Sequence, residues 1–404
     1  MKKRWLLALA SAAISGQSAT TLSACANDAG TGDGLSDDAS TPLPDPVTDG
    51  GVVPDADADA DATCVDDCEY YPDDCTEDAL CSSGLFDVGT PSTGLDLRTH
   101  VQALVGRSPN DGWLAGTDGA VAHFDGTSWK RSMTGTQYAF YGLWLLDGVE
   151  VTFGDPKQLY TRGLDAGADA SADGWSPFAA VTVHSAWGDS HMRVETTWAH
   201  PGSSSVFVGA TTTGSRGGLW RLRYSRTDNA FALTPVTLNG CTTVPCREVY
   251  GLDGLSADEL WAVGPKGAAF RVTDAESDSP TLEAFNTLTV DALHSVWAAA
   301  SNDIWAVGST GTVRRYRGDA HFWEVYDDLP TKQHLYAIAG SSPSDVWVAG
   351  DEGTVFHYDG TAWARVKVAG LGARRPRLHR IWIPSPGKVW IAGQGALLSL
   401  GGKP

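Results

Sequence analysis

One column of side chains in this sequence has the chemistry of a binding site. Gln102, Tyr141, His184, Tyr250, His294, Tyr336 and His379 each stand second in a short, largely apolar segment, at intervals of 39, 43, 66, 44, 42 and 43 residues. All but Gln102 are His or Tyr, flat rings with a polar tip. Such rings can stack on a ligand and hydrogen-bond to it, or pack on a neighbour with the tip satisfied. The three histidines are separated by other members of the column, which sets them apart in space. No metal site and no cofactor is expected from them.

A second group stands in the third copy of the pattern. His191, Arg193, Glu195 and Trp198 fall in Asp189–Trp198, read as a lengthened link between the first two strands of that copy, with Thr211–Gly218 lengthening the next turn. Loops of this kind on a rigid scaffold either carry binding or are tolerated insertions, and both readings stay open.

The elements that must position these residues are repeats. Leu293-His294-Ser295-Val296-Trp297 leads to Asp303-Ile304-Trp305-Ala306-Val307-Gly308 and then Gly311-Thr312-Val313, and Leu335–Trp363 repeats the pattern. Other copies open at Val101, Phe140, Val183, Val249 and Leu378. A second column, Trp113, Val151, Val206, Trp261, Trp305, Trp347 and Trp390, is followed three residues later by Gly116, Gly154, Gly209, Gly264, Gly308, Gly350 and Gly393. Each copy reads as a meander of four short strands, with Asp125-Gly126 and Asp359-Gly360 at the last hairpin, where Gly supplies a positive φ. Arg317-Gly318-Asp319 falls at the same hairpin and is read as a turn. A unit this small hides both faces only by stacking radially on its neighbours, which makes it a β-propeller blade, with the Trp column between blades. The last copy ends at its third strand, Leu397–Leu400, so a fourth must come from elsewhere. Gly84-Leu85-Phe86-Asp87-Val88 is the β-like candidate, and its pairing would close the ring and remove open edges.

The N-terminus reads as an address. Met1-Lys2-Lys3-Arg4 precedes an apolar run from Trp5 to Ile14, the order of an export signal and too short to anchor in a bilayer. Seven cysteines are an odd number for an oxidising compartment. If Cys25 is modified, Cys64, Cys68, Cys75, Cys81, Cys241 and Cys246 can all pair. Connectivity among the first four stays open, and Cys241 with Cys246 staples the approach to the fourth copy. Residues 26–81 hold seventeen acids and no base within a net charge of −20. That composition gives a solvated tether up to residue 63 and leaves no basic surface for nucleic acid. The chain thus divides into a signal segment (1–24), a disordered acidic tether (25–63), a small Cys-rich segment (64–84) and an all-β, seven-bladed propeller of four-stranded blades (85–404).

Leu22-Ser23-Ala24-Cys25 resembles the lipobox of bacterial lipoproteins, which implies lipidation at Cys25 and anchoring at the outer membrane or cell surface. Val-Trp-Ala-Val-Gly-x-x-Gly-Thr-Val-x-x-Tyr-Asp-Gly-Thr-x-Trp resembles the Trp-rich propeller repeats of secreted lipoproteins of the myxobacterial type. It is similar to tectonin repeats and, in Asp-Gly-Thr-x-Trp, to the Asp-box turn of sialidase-type propellers. The likeness to WD-type propellers implies that each opening strand is innermost and begins at the channel mouth, which would gather the His/Tyr column there. Sialidase membership would imply an arginine triad with a Tyr–Glu pair, but that family's early Arg-Ile-Pro motif is absent. No Gly-x-Ser-x-Gly elbow, His-Glu-x-x-His pair or phosphate loop occurs. The sequence therefore points to a monomeric, non-catalytic envelope lipoprotein that binds a glycan or a protein partner, with the lipid as its only membrane contact. A docking scaffold of an envelope assembly and a sialidase-like hydrolase are the alternatives.

Overall fold

The computed structural model describes residues 68–86, 94–164, 170–188, 192–212, 217–237, 241 and 244–402. The export signal, the tether, Cys25, Cys64 and His191 lie outside them. Among the described residues no helix is long and apolar enough to cross a membrane.

Seven antiparallel meanders form seven sheets, the blades of a propeller. Their inner strands are Val101–Ser108, Gly142–Leu146, Met192–Trp198, Gly251–Ser256, Leu293–Ala300, Leu335–Ser342 and Leu378–Ser385. Each inner strand touches the next around the ring, and that of blade 7 touches that of blade 1. The hydrophobic clusters fall between blades rather than within them. Trp305, for example, packs with Val346, Val348 and Phe356 of blade 6, and Trp390 with Leu104, Leu114 and Phe124 of blade 1. A blade's two apolar faces are therefore buried only by its neighbours, as the repeat pattern requires.

Closure differs from expectation in its register. The fourth strand of blade 7 is Ala79–Ser82, antiparallel to Ala396–Leu400, and not the stretch at 84–88. Leu85 and Phe86 turn inward instead and join the apolar cluster of the seam between blades 7 and 1. The physical reason is the pattern Ala79-Leu80-Cys81, which is buried on both sides. A fifth strand, Lys367–Ala369, runs parallel to Ala79–Ser82 along its outer edge. Cys81 in the closing strand is disulfide-bonded to Cys75, and Cys241 to Cys246.

Blade 3 also departs from the sequence reading. Val183, read as the start of its opening strand, instead ends its outermost strand, Val181–Val183, parallel to Ala230–Pro235. The inner strand is Met192–Trp198, within the stretch read as a lengthened link. The insertion thus lies before the inner strand and not after it. In the second column Phe207 replaces Val206, because Phe207 packs into the seam with blade 4 whereas Val206 faces blade 2.

Candidate functional site

In five blades the inner strand carries a β-bulge at one equivalent point, where two residues oppose one on the next strand. The extra residues are Gln102, Glu195, His294, Tyr336 and His379. A bulge turns its residue out of the ladder. Here it turns each side chain toward the channel mouth, a cavity of about 740 Å³ lined by these five residues and by Tyr250. Of the column read from sequence, Gln102, Tyr250, His294, Tyr336 and His379 meet at the mouth. His184 does not. It follows the outer strand of blade 3, its Nδ1 accepting the Ala186 N–H at 3.2 Å. Glu195 holds its place in the column. Tyr141 packs instead against the cluster between blades 2 and 3.

Of the group proposed in the third copy, Arg193 and Glu195 line the mouth as an ion pair, Nε to Oε1 3.0 Å. The Thr211 hydroxyl donates to the same carboxylate at 2.7 Å. Trp198 points elsewhere, its ring lying over Gly254 of blade 4.

Around one side of the mouth the rings stack on one another. Tyr250 and His294 lie 5.9 Å apart and 19° from parallel, His294 and Tyr336 4.8 Å apart. The Arg377 guanidinium covers Tyr336 at 4.5 Å and is fixed by Asp351, Nε to Oδ1 2.8 Å. Along this run the facing sides of neighbouring rings are covered by one another. Burial pushes His294 down to about 4, helped by the charges of His334 and Arg377, so it is neutral near pH 7. The Tyr250 hydroxyl donates to Glu248 at 3.1 Å, and burial together with that carboxylate pushes the phenol up to about 12.

At the neck, where the mouth narrows into a channel of about 190 Å³, stand His379, the last member of the column read from sequence, and Arg380, which that reading did not include. His379 is 8 % exposed, and its ring nitrogens are shut off from solvent beside the backbone of Val101 and Arg377. Burial, with Arg380 beside it, pushes it down to about 3. Arg380 lines both cavities. Its guanidinium donates to the carbonyls of Gln102, of His379 (2.8 Å) and of Glu195 (3.3 Å), which belong to blades 1, 7 and 3. Burial lowers it to about 10. The signal was present in the sequence: a charged residue inside Leu378–Ile383, otherwise an apolar inner strand. Among the described residues no group of three or more His, Cys, Asp or Glu could hold a metal ion.

No protein-family model matches the chain, and no curated protein matches it. Solved structures do. YCF48 bound to D1 peptide is similar at 16% identity and a TM-score of 0.52, over 75% of this chain and 91% of that one. YCF48 from Cyanidioschyzon merolae is similar at 17% and 0.52, over 75% and 95%. The WD40 β-propeller domain of Doa1 is similar at 11% and 0.53, over 76% and 94%. At these identities the likeness is one of fold alone.

Proposed function

We propose that this protein is an exported, lipid-anchored recognition module of the cell envelope whose propeller mouth holds an extended segment of a protein partner. The observation that carries this reading is the run Tyr250–His294–Tyr336–Arg377, in which neighbouring rings cover one another's facing sides and polar edges and charges line the cavity. A sugar is usually held by an open aromatic face; a peptide, with its alternating N–H and C=O groups, is held by polar edges. The solved complex of YCF48 with D1 peptide is a propeller of like fold that takes a peptide. The bulged positions supply a fixed ring of such edges on rigid strands.

The test is affinity capture from solubilised envelope on the immobilised full-length protein. The partner retained by wild type is expected to be lost from the double variant Tyr336→Ala, Arg377→Ala. Identical captures from the two proteins would remove the mouth from consideration.

A second reading draws on one observation. The Tyr250–Glu248 pair shares the mouth with Arg193, Arg377 and Arg380, the residue types of a glycoside hydrolase that uses a tyrosine nucleophile. The raised Tyr250 phenol works against that chemistry, which needs an activated nucleophile. Turnover of a fluorogenic sialoside, abolished by Tyr250→Phe, would establish it.

A further inference from the structure

Resting on the reading that the mouth takes a protein segment, we propose that the neck of the channel is a carboxylate subsite, where Arg380 receives one carboxylate of that segment beside His379. A guanidinium carries five N–H donors. The three bonds of Arg380 all go to backbone carbonyls, and no carboxylate among the described residues pairs with it. Glu195 is near enough to influence it, but that carboxylate is already bound by Arg193 and Thr211. A buried cation whose donors meet only backbone carbonyls is costly. Here that cost falls on a residue that lines both cavities.

One planar carboxylate answers it. It can accept the remaining guanidinium donors in the forked geometry that suits it. A phosphate carries more negative charge and would meet Glu195 and Glu248 in the same wall. The channel below offers about 190 Å³, room for one small group and not for a chain. The rest of the segment would lie in the wider mouth above.

The carboxylate can come from a chain terminus or from an Asp or Glu side chain, and the experiment separates them. Random peptides with free C-termini are selected on the immobilised full-length protein. Each peptide recovered is then remade with an amidated terminus, with Asp and Glu replaced by Asn and Gln, and with both changes. One of the single changes is expected to weaken binding at least about tenfold, a charge-assisted bond being worth that much. Whichever does so names the source. The binding peptide is also expected to raise the titration midpoint of His379, followed by its imidazole NMR signals, and Arg380→Lys is expected to abolish the difference between acid and amide. The variant is expected to go on binding the carboxylate-free peptide as wild type does, which a folding defect would not allow. Peptides that bind the mouth, lose affinity in Tyr336→Ala, and yet tolerate removal of every carboxylate would overturn the subsite while leaving the mouth reading standing. Failure of Tyr336→Ala and Arg377→Ala to affect any peptide would remove the mouth reading, and the subsite with it. Displacement of the peptides by sialyllactose, with no acid-dependent peptide recovered, would overturn the proposal in favour of an acidic sugar.

Discussion

The ring of Trp382 lies against the backbone of Gly106, so close that a Cβ on that glycine would sit 2.1 Å from the ring carbon Cζ2. Trp382 belongs to the inner strand of blade 7 and Gly106 to that of blade 1. The same pairing occurs between Trp297 and Gly340, and between Trp198 and Gly254, where added Cβ atoms would lie 2.5 and 2.8 Å from ring carbons. In each case the tryptophan is three residues beyond the bulged residue, and the glycine four beyond the column residue of the next blade, Gln102, Tyr336 or Tyr250.

Gly106→Ala is therefore expected to destabilise the seam where the ring closes. The ring meets Gly112 as well, at 2.4 Å from a built Cβ, so it has little room to retreat. Overpacking of this kind costs about 1–3 kcal/mol. Gly106→Ala combined with Trp382→Leu should recover part of that loss, a non-additive cycle readable by denaturant unfolding. Strict additivity would mean that the two residues do not share the space.

This device also shows how much could be read in the sequence. Blade number, strand order and the burial of the Trp column follow from periodicity alone, because every copy repeats them. Blade 3 was misread because its outer parallel strand, Val181–Val183, also carries alternating Val residues, and the search for a His/Tyr column favoured His184. Trp198 held the correction. It stands three residues after Glu195 as Trp297 stands after His294 and Trp382 after His379, and Gly254 waits for it in blade 4. The closing strand was missed for a different reason. Three residues, Ala79-Leu80-Cys81, carry too little periodicity to be distinguished from Leu85-Phe86, and only their pairing with Leu398–Leu400 decides between them.

His357 stacks on Trp347 at 4.3 Å while its Nε2 and the Trp347 Nε1 both meet Oδ1 of Asp345 at 2.8 Å. Blade 1 repeats the arrangement with Asp111, Trp113 and His123. Burial acts to raise the Asp345 carboxyl, but hydrogen bonds from Ser341, Trp347 and His357 outweigh it and hold the group below its ordinary value. A carboxylate with a depressed folded value stabilises the fold above the unfolded value and ceases to as pH falls through the folded one. Asp345→Asn is accordingly expected to cost about 1 kcal/mol at pH 7 and progressively less below pH 4, in unfolding curves taken across that range. A cost that is constant with pH would show that the charge of Asp345 is not involved.

The disulfide between Cys75 and Cys81 ties the closing strand to the segment before it, and Gly401 N–H donates to the Ala79 carbonyl from the far end of the chain at 2.7 Å. Cutting the bond releases a short loop, and loop-closure entropy for that length is about 2 kcal/mol. Because the closing strand alone joins Ala396–Leu400 to Lys367–Ala369, the loss should appear as earlier hydrogen exchange in those two strands. Reduction, or Cys75→Ser with Cys81→Ser, is expected to raise exchange there and to leave the inner strands of blades 4 and 5 unaltered. Uniform acceleration throughout the ring would instead indicate that the seam and the whole propeller open as one unit.

Asp253 stands three residues beyond Tyr250, where four other blades carry a tryptophan, and its carboxylate accepts the Ala298 N–H of blade 5 at 2.8 Å. It faces the narrow channel. Burial pushes it up to about 6, against hydrogen bonds from Ala298, Gly254 and Trp198 that act to lower it. The sign is the reverse of that for Asp345. A carboxyl whose folded value is raised takes its proton more readily in the native state. Its contribution is most favourable below the unfolded value near 4 and is lost as pH rises through 6. At neutral pH the fold holds a charge it would rather shed, and Asp253→Asn, which keeps an acceptor for the Ala298 N–H, relieves it. The variant is expected to be more stable than wild type by up to about 3 kcal/mol above pH 6.5, from about two pKa units at 1.36 kcal/mol each. The two proteins should converge below pH 4. Denaturant midpoints measured from pH 3.5 to 7.5 decide it: parallel curves would mean that water in the channel solvates the carboxylate as well as bulk solvent does.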